Sequence, residues 1–303
     1  MFCNIGAGIV TYNPELQRLR KNIEAFCNNV KSIVVVDNSS DNLSEIEKLI
    51  GNYNNVELKR NGQNMGVGYA LNQIVEQLRS ENLEWALLLD QDSIVDTEIL
   101  SKYADFERDK VGLLSPYIID INKITFEDYK TLSKMMKPKS PIKFAITSGS
   151  LVNIRICELV GGFDSGLFID GVDTDFSRKL DINGFKQFRI NSTYIMHEVG
   201  KAEPTHVFRI HRDNAGSLSI KRYYRTNHSP TRIYYMARNN VILTRRYKKY
   251  YSPLKGYLFL SGYMLGKIIF ERNKKSVLKA VVKGITDGFK YKENGYTPLY
   301  NRA

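Results

Sequence analysis

Trp85-Ala86-Leu87-Leu88-Leu89-Asp90-Gln91-Asp92 is the stretch on which the fold turns. A continuous apolar run of this length suits a strand covered on both faces, as in a parallel sheet. It stops at two acids one residue apart. An earlier run, residues 33–36, stops in the same way at Asp37-Asn38-Ser39-Ser40. Open α/β sheets bind ligands beyond the carboxyl ends of their strands, so the two acidic strand ends point to one crevice. Carboxylates side by side repel unless a cation or hydrogen-bond donors hold them. Mg²⁺ or Mn²⁺, bound by one or two carboxylates together with phosphate oxygens, meets that need. The residues therefore suggest a metal–diphosphate site, against the rival reading of a solvated acidic pair capping a helix from Ser93.

The flanking segments fit the same sheet. Residues 5–10 read as a first strand leading into Thr11-Tyr12-Asn13-Pro14, with Pro14 opening a helix over 15–28. A helix over 43–50, a short strand over 56–58, an Asn61-Gly62 turn and a helix over 69–79 complete a β-α-β-α-β-α-β order, which predicts a mostly parallel, right-handed sheet. Gly6-Ala7-Gly8 lies inside the first strand, not after it, so a dinucleotide fingerprint is discounted. Beyond Asp92 the pattern predicts a helix near 97–106, a strand near 111–115, a polar surface excursion over 120–142 and a strand over 144–152. A helix carrying Arg178 and Lys179 follows, then strands over 185–190 and 194–196.

The 303 residues carry a net charge of +12, unevenly placed: residues 1–200 hold 22 Lys and Arg against 27 Asp and Glu, and residues 201–303 hold 22 against 5. A basic final third calls for an anionic partner, and no helix-turn-helix, finger or RNA-binding signature supports nucleic acid in that place. Cys3, Cys27 and Cys157 are too few and too scattered for a disulfide framework or a metal set, which fits a reducing compartment. With no basic leader and no run of about 18 apolar residues, the expected location is cytoplasmic. Residues 253–270 are apolar between Lys255 and Lys267, and Arg272, Lys274, Lys275, Lys279 and Lys283 follow. This suits an interfacial helix on the inner face of an anionic membrane, or else a buried or dimer-forming helix.

Val10-Thr11-Tyr12-Asn13, Val36-Asp37-Asn38-Ser39, Asn64-Met65-Gly66 with Asn72 beyond it, Asp90-Gln91-Asp92 and Asp173-Thr174-Asp175 resemble, in order and spacing, the family 2 glycosyltransferases. The resemblance implies an α/β GT-A fold over residues 1–245, with a nucleotide-binding half (1–95) and an acceptor-binding half (96–245), followed by basic amphipathic C-terminal helices (246–303). Within the family, Asp90-Gln91-Asp92-Ser93, Phe168-Ile169-Asp170 with Asp173, and Arg232-Ile233-Tyr234-Tyr235-Met236-Ala237-Arg238-Asn239 resemble bacterial rhamnosyltransferases of surface polysaccharide assembly. The implied activity is inverting, metal-dependent transfer of L-rhamnose from dTDP-β-L-rhamnose to a glycan or lipid-linked glycan. A UDP-sugar donor is the near alternative. A sugar-nucleotide nucleotidyltransferase, which would need a basic phosphate loop near the N-terminus, and a non-catalytic membrane-docking partner are remoter ones.

Carried over residue by residue, the resemblance sets Thr11, Asn13 and Asp37 against the nucleotide, with Asp37 accepting from the pyrimidine imide, although Asp37-Asn38-Ser39 also reads as a helix-capping turn. Asn64 and Gly66 fall near ribose and diphosphate, Asp90 and Gln91 with the nucleotide sugar, and Asp92 on the divalent cation, with His197 completing the metal or diphosphate shell. Asp173 is the implied catalytic base, its pKa expected to be raised by Asp170 and Asp175. Ser148, Gly149, Asp170, Asp175, Arg232, Tyr235 and Arg238 make up the acceptor and diphosphate neighbourhood. The family's usual Arg after the acids is replaced by Lys179, with Arg178 before it, which leaves open which cation orients them.

Overall fold

A computed structural model describes residues 4–105, 109–121, 124–197, 203–212 and 218–301. The chain forms two compact units, residues 1–197 with 297–303 and residues 198–296. In the first unit the order is β1 (Ile5–Thr11), α1 (Leu16–Glu24), β2 (Ser32–Asp37), α2 (Leu43–Ile50), β3 (Val56–Arg60), α3 (Val67–Ser80), β4 (Trp85–Asp90), β5 (Ile94–Val95), α4 (Ile99–Ala104), β6 (Val111–Asp120), α5 (Phe126–Met135), β7 (Lys139–Pro141), β8 (Ser150–Asn153), α6 (Ile154–Leu159), α7 (Val172–Ile182) and β9 (Lys186–His197).

The sheet runs β3-β2-β1-β4-β8-β6-β9-β5, with β7 paired to β9. β3, β2, β1 and β4 are parallel, so Asp37 and Asp90 end the two strands that flank β1, at one edge of the sheet. β8 runs antiparallel to β4, Leu88 opposite Ser150, which brings the turn entering β8 to that same edge. Every residue of β4 before Asp90 is buried, as a strand covered on both faces requires. The glycines inside β1 serve packing: a Cβ on Gly6 would lie 2.3 Å from Leu78 and one on Gly8 2.1 Å from Ile74, so α3 sits directly on the strand.

Three expectations are corrected here. The strand expected over 144–152 begins only at Ser150, because Gly149 is left-handed (φ +74°) and Ser150 N–H closes a turn on Thr147 O at 2.9 Å. Residues 185–190 and 194–196 belong to one long strand, β9. The excursion over 120–142 contains α5, opened by a reciprocal Thr125–Asp128 cap, with Tyr129 buried against Tyr117 and Tyr194 at centroid distances of 5.1 and 5.2 Å.

The second unit comprises the hairpin β10 (Glu203–Arg212) and β11 (Leu218–Arg225), then α8 (Pro230–Arg246), α9 (Pro253–Phe270) and α10 (Lys274–Lys290). Ile233, Ala237 and Val241 of α8 share a core with Leu260 and Met264 of α9 and Val277, Ala280 and Val281 of α10. Gly284 and Gly288 let α10 approach closely: a Cβ there would meet Tyr234 O at 2.4 Å and Arg238 O at 2.7 Å. The two compact units meet in sequence at residue 197, and α8 has its core with the C-terminal helices. No helix among the described residues is long and apolar enough to cross a membrane.

Candidate active site

The site is built at the carboxyl edge of the sheet, where the loops after β1 and β2 are knitted together. Asp37 is buried; its carboxylate accepts from Thr11 Oγ1 at 2.9 Å and from the N–H of Ser40 at 2.8 Å, and the Ser40 hydroxyl donates to it as well. Asn13, left-handed at φ +50°, donates its N–H to Ser40 Oγ and accepts the N–H of Asp41, both at 2.7 Å. Thr11, Asn13 and Asp37 are thus brought together; Asp37 closes a turn on Ser40, but α2 starts beyond it at Leu43 with no side-chain cap, so neither Ser39 nor Ser40 caps that helix. Gln91 reaches back to this loop: Tyr12 N–H donates to its Oε1 at 2.7 Å, and its Nε2 donates to Tyr12 O at 3.2 Å. Its amide holds the β1 loop.

Asp90 is fixed through its backbone on two sides. Its N–H donates to Ser148 Oγ at 3.1 Å, and Asn22 of α1, buried, donates to its carbonyl at 2.8 Å. Ser148 also shares a hydrogen bond with Ser93 at 2.7 Å. Gly149 N–H donates to Leu88 O at 2.8 Å, and its left-handed φ of +74° favours glycine there. Asp96 accepts the N–H of Glu98 in the turn that leads into α4, and α4 has no side-chain cap, so Asp92 does not fill that role. Asp92 is half-buried two residues beyond β4 and makes no hydrogen bond or ion pair with any described residue. Among the described residues no three His, Cys, Asp or Glu side chains could together hold a metal ion. The donor set fits a cation held by Asp92 and completed by phosphate oxygens and water, rather than a protein cage.

The loop 64–66 and the segment 161–171 form one assembly. Asn64 Oδ1 accepts the N–H of Gly66 at 3.0 Å, and Val67 N–H donates to Phe168 O at 2.7 Å. Gly66 stands at φ +84° with its missing Cβ 2.6 Å from Phe168 O, so the backbones touch as only glycine allows. Asn72 binds Phe163 in both directions, at 2.8 and 2.9 Å. Phe168, Asp170 and Gly171 all have positive φ, a strained segment that feeds straight into α7.

Asp173, in the first turn of α7, accepts at Oδ1 from both the N–H (3.1 Å) and the hydroxyl of Thr147. Its pKa is raised to about 6, first by burial, opposed by the Thr147 hydrogen bonds and helped by the nearby charges of Asp90 and Asp170. The expected rise is present, with burial as its main cause. Asp175, expected to contribute, is fully buried and pairs with Lys179 at 2.7 Å, while Lys179 Nζ also donates to Gly162 O at 3.1 Å. Lys179 is therefore the cation that holds the second acid.

The side chain of His197 lies outside the described residues, although its backbone ends β9. Arg232, Tyr235 and Arg238 belong to the second unit. Arg238 lies over the rings of Tyr235 and Tyr291 at 5.9 and 4.9 Å and donates to Asn239 Oδ1 at 2.9 Å, so much of this motif packs α8. Sequence reasoning missed Thr147 and Asn22. Each is a single polar residue whose partner lies far along the chain, with no local pattern to mark it.

Residues 7–160 match the model of the family described as Glycosyl transferase family 2. The dTDP-rhamnosyl transferase RfbF of Shigella flexneri is 30% identical over 324 positions, taking in 96% of this chain and 99% of that protein. Among solved structures, GalNAc-T7 with UDP, GalNAc and Mn²⁺ aligns with a TM-score of 0.55 at 16% identity over 82% of this chain and 49% of that one; this chain spans about half of its length. TarS residues 1–349 of S. aureus aligns at 0.52 and 15% identity over 95% of this chain and 72% of that one. At these identities the two structures speak for the fold, a GT-A sheet followed by a helical C-terminal region.

Proposed function

The chain belongs to glycosyl transferase family 2 and is a glycosyltransferase; from that membership we propose that it transfers L-rhamnose from dTDP-β-L-rhamnose, with inversion, to a sugar hydroxyl of a lipid-linked surface polysaccharide precursor. The observation that carries the chemistry is the Asp173 carboxylate, tuned to about 6 beside Asp90. Above that pH Asp173 removes the proton of the acceptor hydroxyl while its oxygen bonds to the anomeric carbon, and the bond from that carbon to the diphosphate oxygen breaks in the same displacement. A divalent cation, Mg²⁺ or Mn²⁺, held by Asp92 would offset the charge gathering on the leaving nucleotide. Thr11, Asn13 and Asp37 line the nucleotide end, Asn64 and Gly66 the diphosphate, and Asp90 the ribose. The similarity to the S. flexneri dTDP-rhamnosyl transferase supports the choice of donor.

A lipid-linked acceptor would place the enzyme against the inner face of the membrane. Supporting this, Leu254, Leu258, Phe259 and Leu265 of α9 and Leu278 and Val282 of α10 are exposed among Lys255, Lys274, Lys275 and Lys279. Such a mixed surface suits an anionic bilayer.

The deciding experiment is calorimetric titration with dTDP-rhamnose, UDP-galactose, UDP-glucose and GDP-mannose, each with Mg²⁺ or Mn²⁺ and with chelator. Selective, metal-dependent binding of dTDP-rhamnose is expected. Preference for a UDP-sugar would replace the donor and keep the fold and base; no binding to any of them would overturn the transferase reading of this site. Asp92→Asn is expected to abolish the metal dependence of donor binding.

A further inference from the structure

We infer that Thr147 is a positioning residue for the base, binding one carboxylate oxygen of Asp173 and leaving the other for the acceptor hydroxyl. The inference rests on the reading of Asp173 as the base and adds a residue that the family motifs do not contain. Both Thr147 donors, the backbone N–H at 3.1 Å and the hydroxyl, converge on Oδ1. Oδ2 has no hydrogen-bond partner among the described residues. Two donors on one oxygen draw negative charge to it and fix the carboxylate plane, so the unshared lone pairs of Oδ2 become the proton acceptor.

Thr147 is itself held. It is 9% exposed, its carbonyl accepts the Ser150 N–H at 2.9 Å, and Gly149 N–H anchors the turn to Leu88 O of β4 at 2.8 Å. The charges facing Asp173 are Asp90 from the end of β4 and Asp170 from the turn before α7, and both act with burial to keep the proton on; the Thr147 bonds act against them. Without the Thr147 hydroxyl the base would be more protonated near neutrality.

The test is a carbon-13 titration of the full-length protein labelled at aspartate Cγ, with the Asp173 signal identified by its loss in Asp173→Asn. In Thr147→Val, which keeps the backbone donor and drops the hydroxyl, the midpoint is expected to rise by about half to one pH unit, and Thr147→Ser restores it. The acid limb of transfer from dTDP-rhamnose moves with it, while donor affinity stays within about twofold. An unmoved midpoint in Thr147→Val, or a Thr147→Ser chain that behaves like Thr147→Val, would overturn the proposal. If Thr147→Val does not fold, Thr147→Ala carries the same titration. Transfer retained by Asp173→Asn would remove the base assignment while leaving the titration result intact, so the two failures are separable.

Discussion

At the scale of single residues, the behaviour of Asp173 ties catalysis to a cost in stability. Its proton is held more tightly in the folded chain, with a pKa of about 6 against an ordinary 3.8. The folded state therefore binds more protons than the unfolded one between those values, and stability falls as pH rises through that window. With Asp173 as the proposed base, activity runs the other way, since a base works only once deprotonated. Transfer is expected to rise with pH along an acid limb centred near 6, as a pH–rate profile at saturating donor will record. Asp173→Asn is expected to lose about 10²–10⁴-fold in turnover while keeping donor affinity. The same variant, which cannot ionise, should be more stable than the parent by roughly 1–3 kcal/mol at pH 7.5 and no more stable at pH 4, a comparison that denaturant unfolding at the two pH values settles.

At the scale of elements, the positive-φ residues at the loop–helix junctions carry the site. Gly66→Ala forces a side chain into a left-handed position 2.6 Å from Phe168 O, and is expected to cost about 1–3 kcal/mol and to weaken donor binding, measurable by unfolding and calorimetry. How far such elements are legible in sequence depends on how local their causes are. β1 to β4 and α1 to α3 follow from apolar runs and helical spacing, and α2 falls on its expected bounds, Leu43–Ile50. The pairing of Asp175 with Lys179, which the sequence left open between Arg178 and Lys179, follows from the shared helix face of residues four apart. The break at Gly149 was not, because its left-handed turn is fixed by β4 through Leu88, 61 positions earlier in the chain. Nor was the grouping of α8 with α10, which rests on the close approach at Gly284 and Gly288. Asp173 stands in a motif that marks it in the sequence; Thr147, which donates to its Oδ1, has no local pattern to mark it.

At the scale of the whole molecule, charge and exposed apolar surface concentrate beyond residue 197. Removing residues 254–303 would uncover Ile233, Ala237 and Val241 along α8, so point changes give the cleaner test of membrane docking. The triple variant Leu258→Ser, Phe259→Ser, Leu265→Ser is expected to fold and bind donor as the parent does, yet to lose most of its co-sedimentation with phosphatidylglycerol vesicles. Raising the salt should weaken parental binding, as screening of lysine contacts requires. Retention of the triple variant on vesicles would count against docking through this face. The meeting of Gly66 with Phe168 reaches furthest. The family's common segment stops at residue 160, short of the stretch 161–171 on which the loop 64–66 is seated. Anyone grafting a relative's residues 7–160 onto this chain will have to take that stretch along with it, because Gly66 and Val67 fit against the Phe168 backbone as one piece.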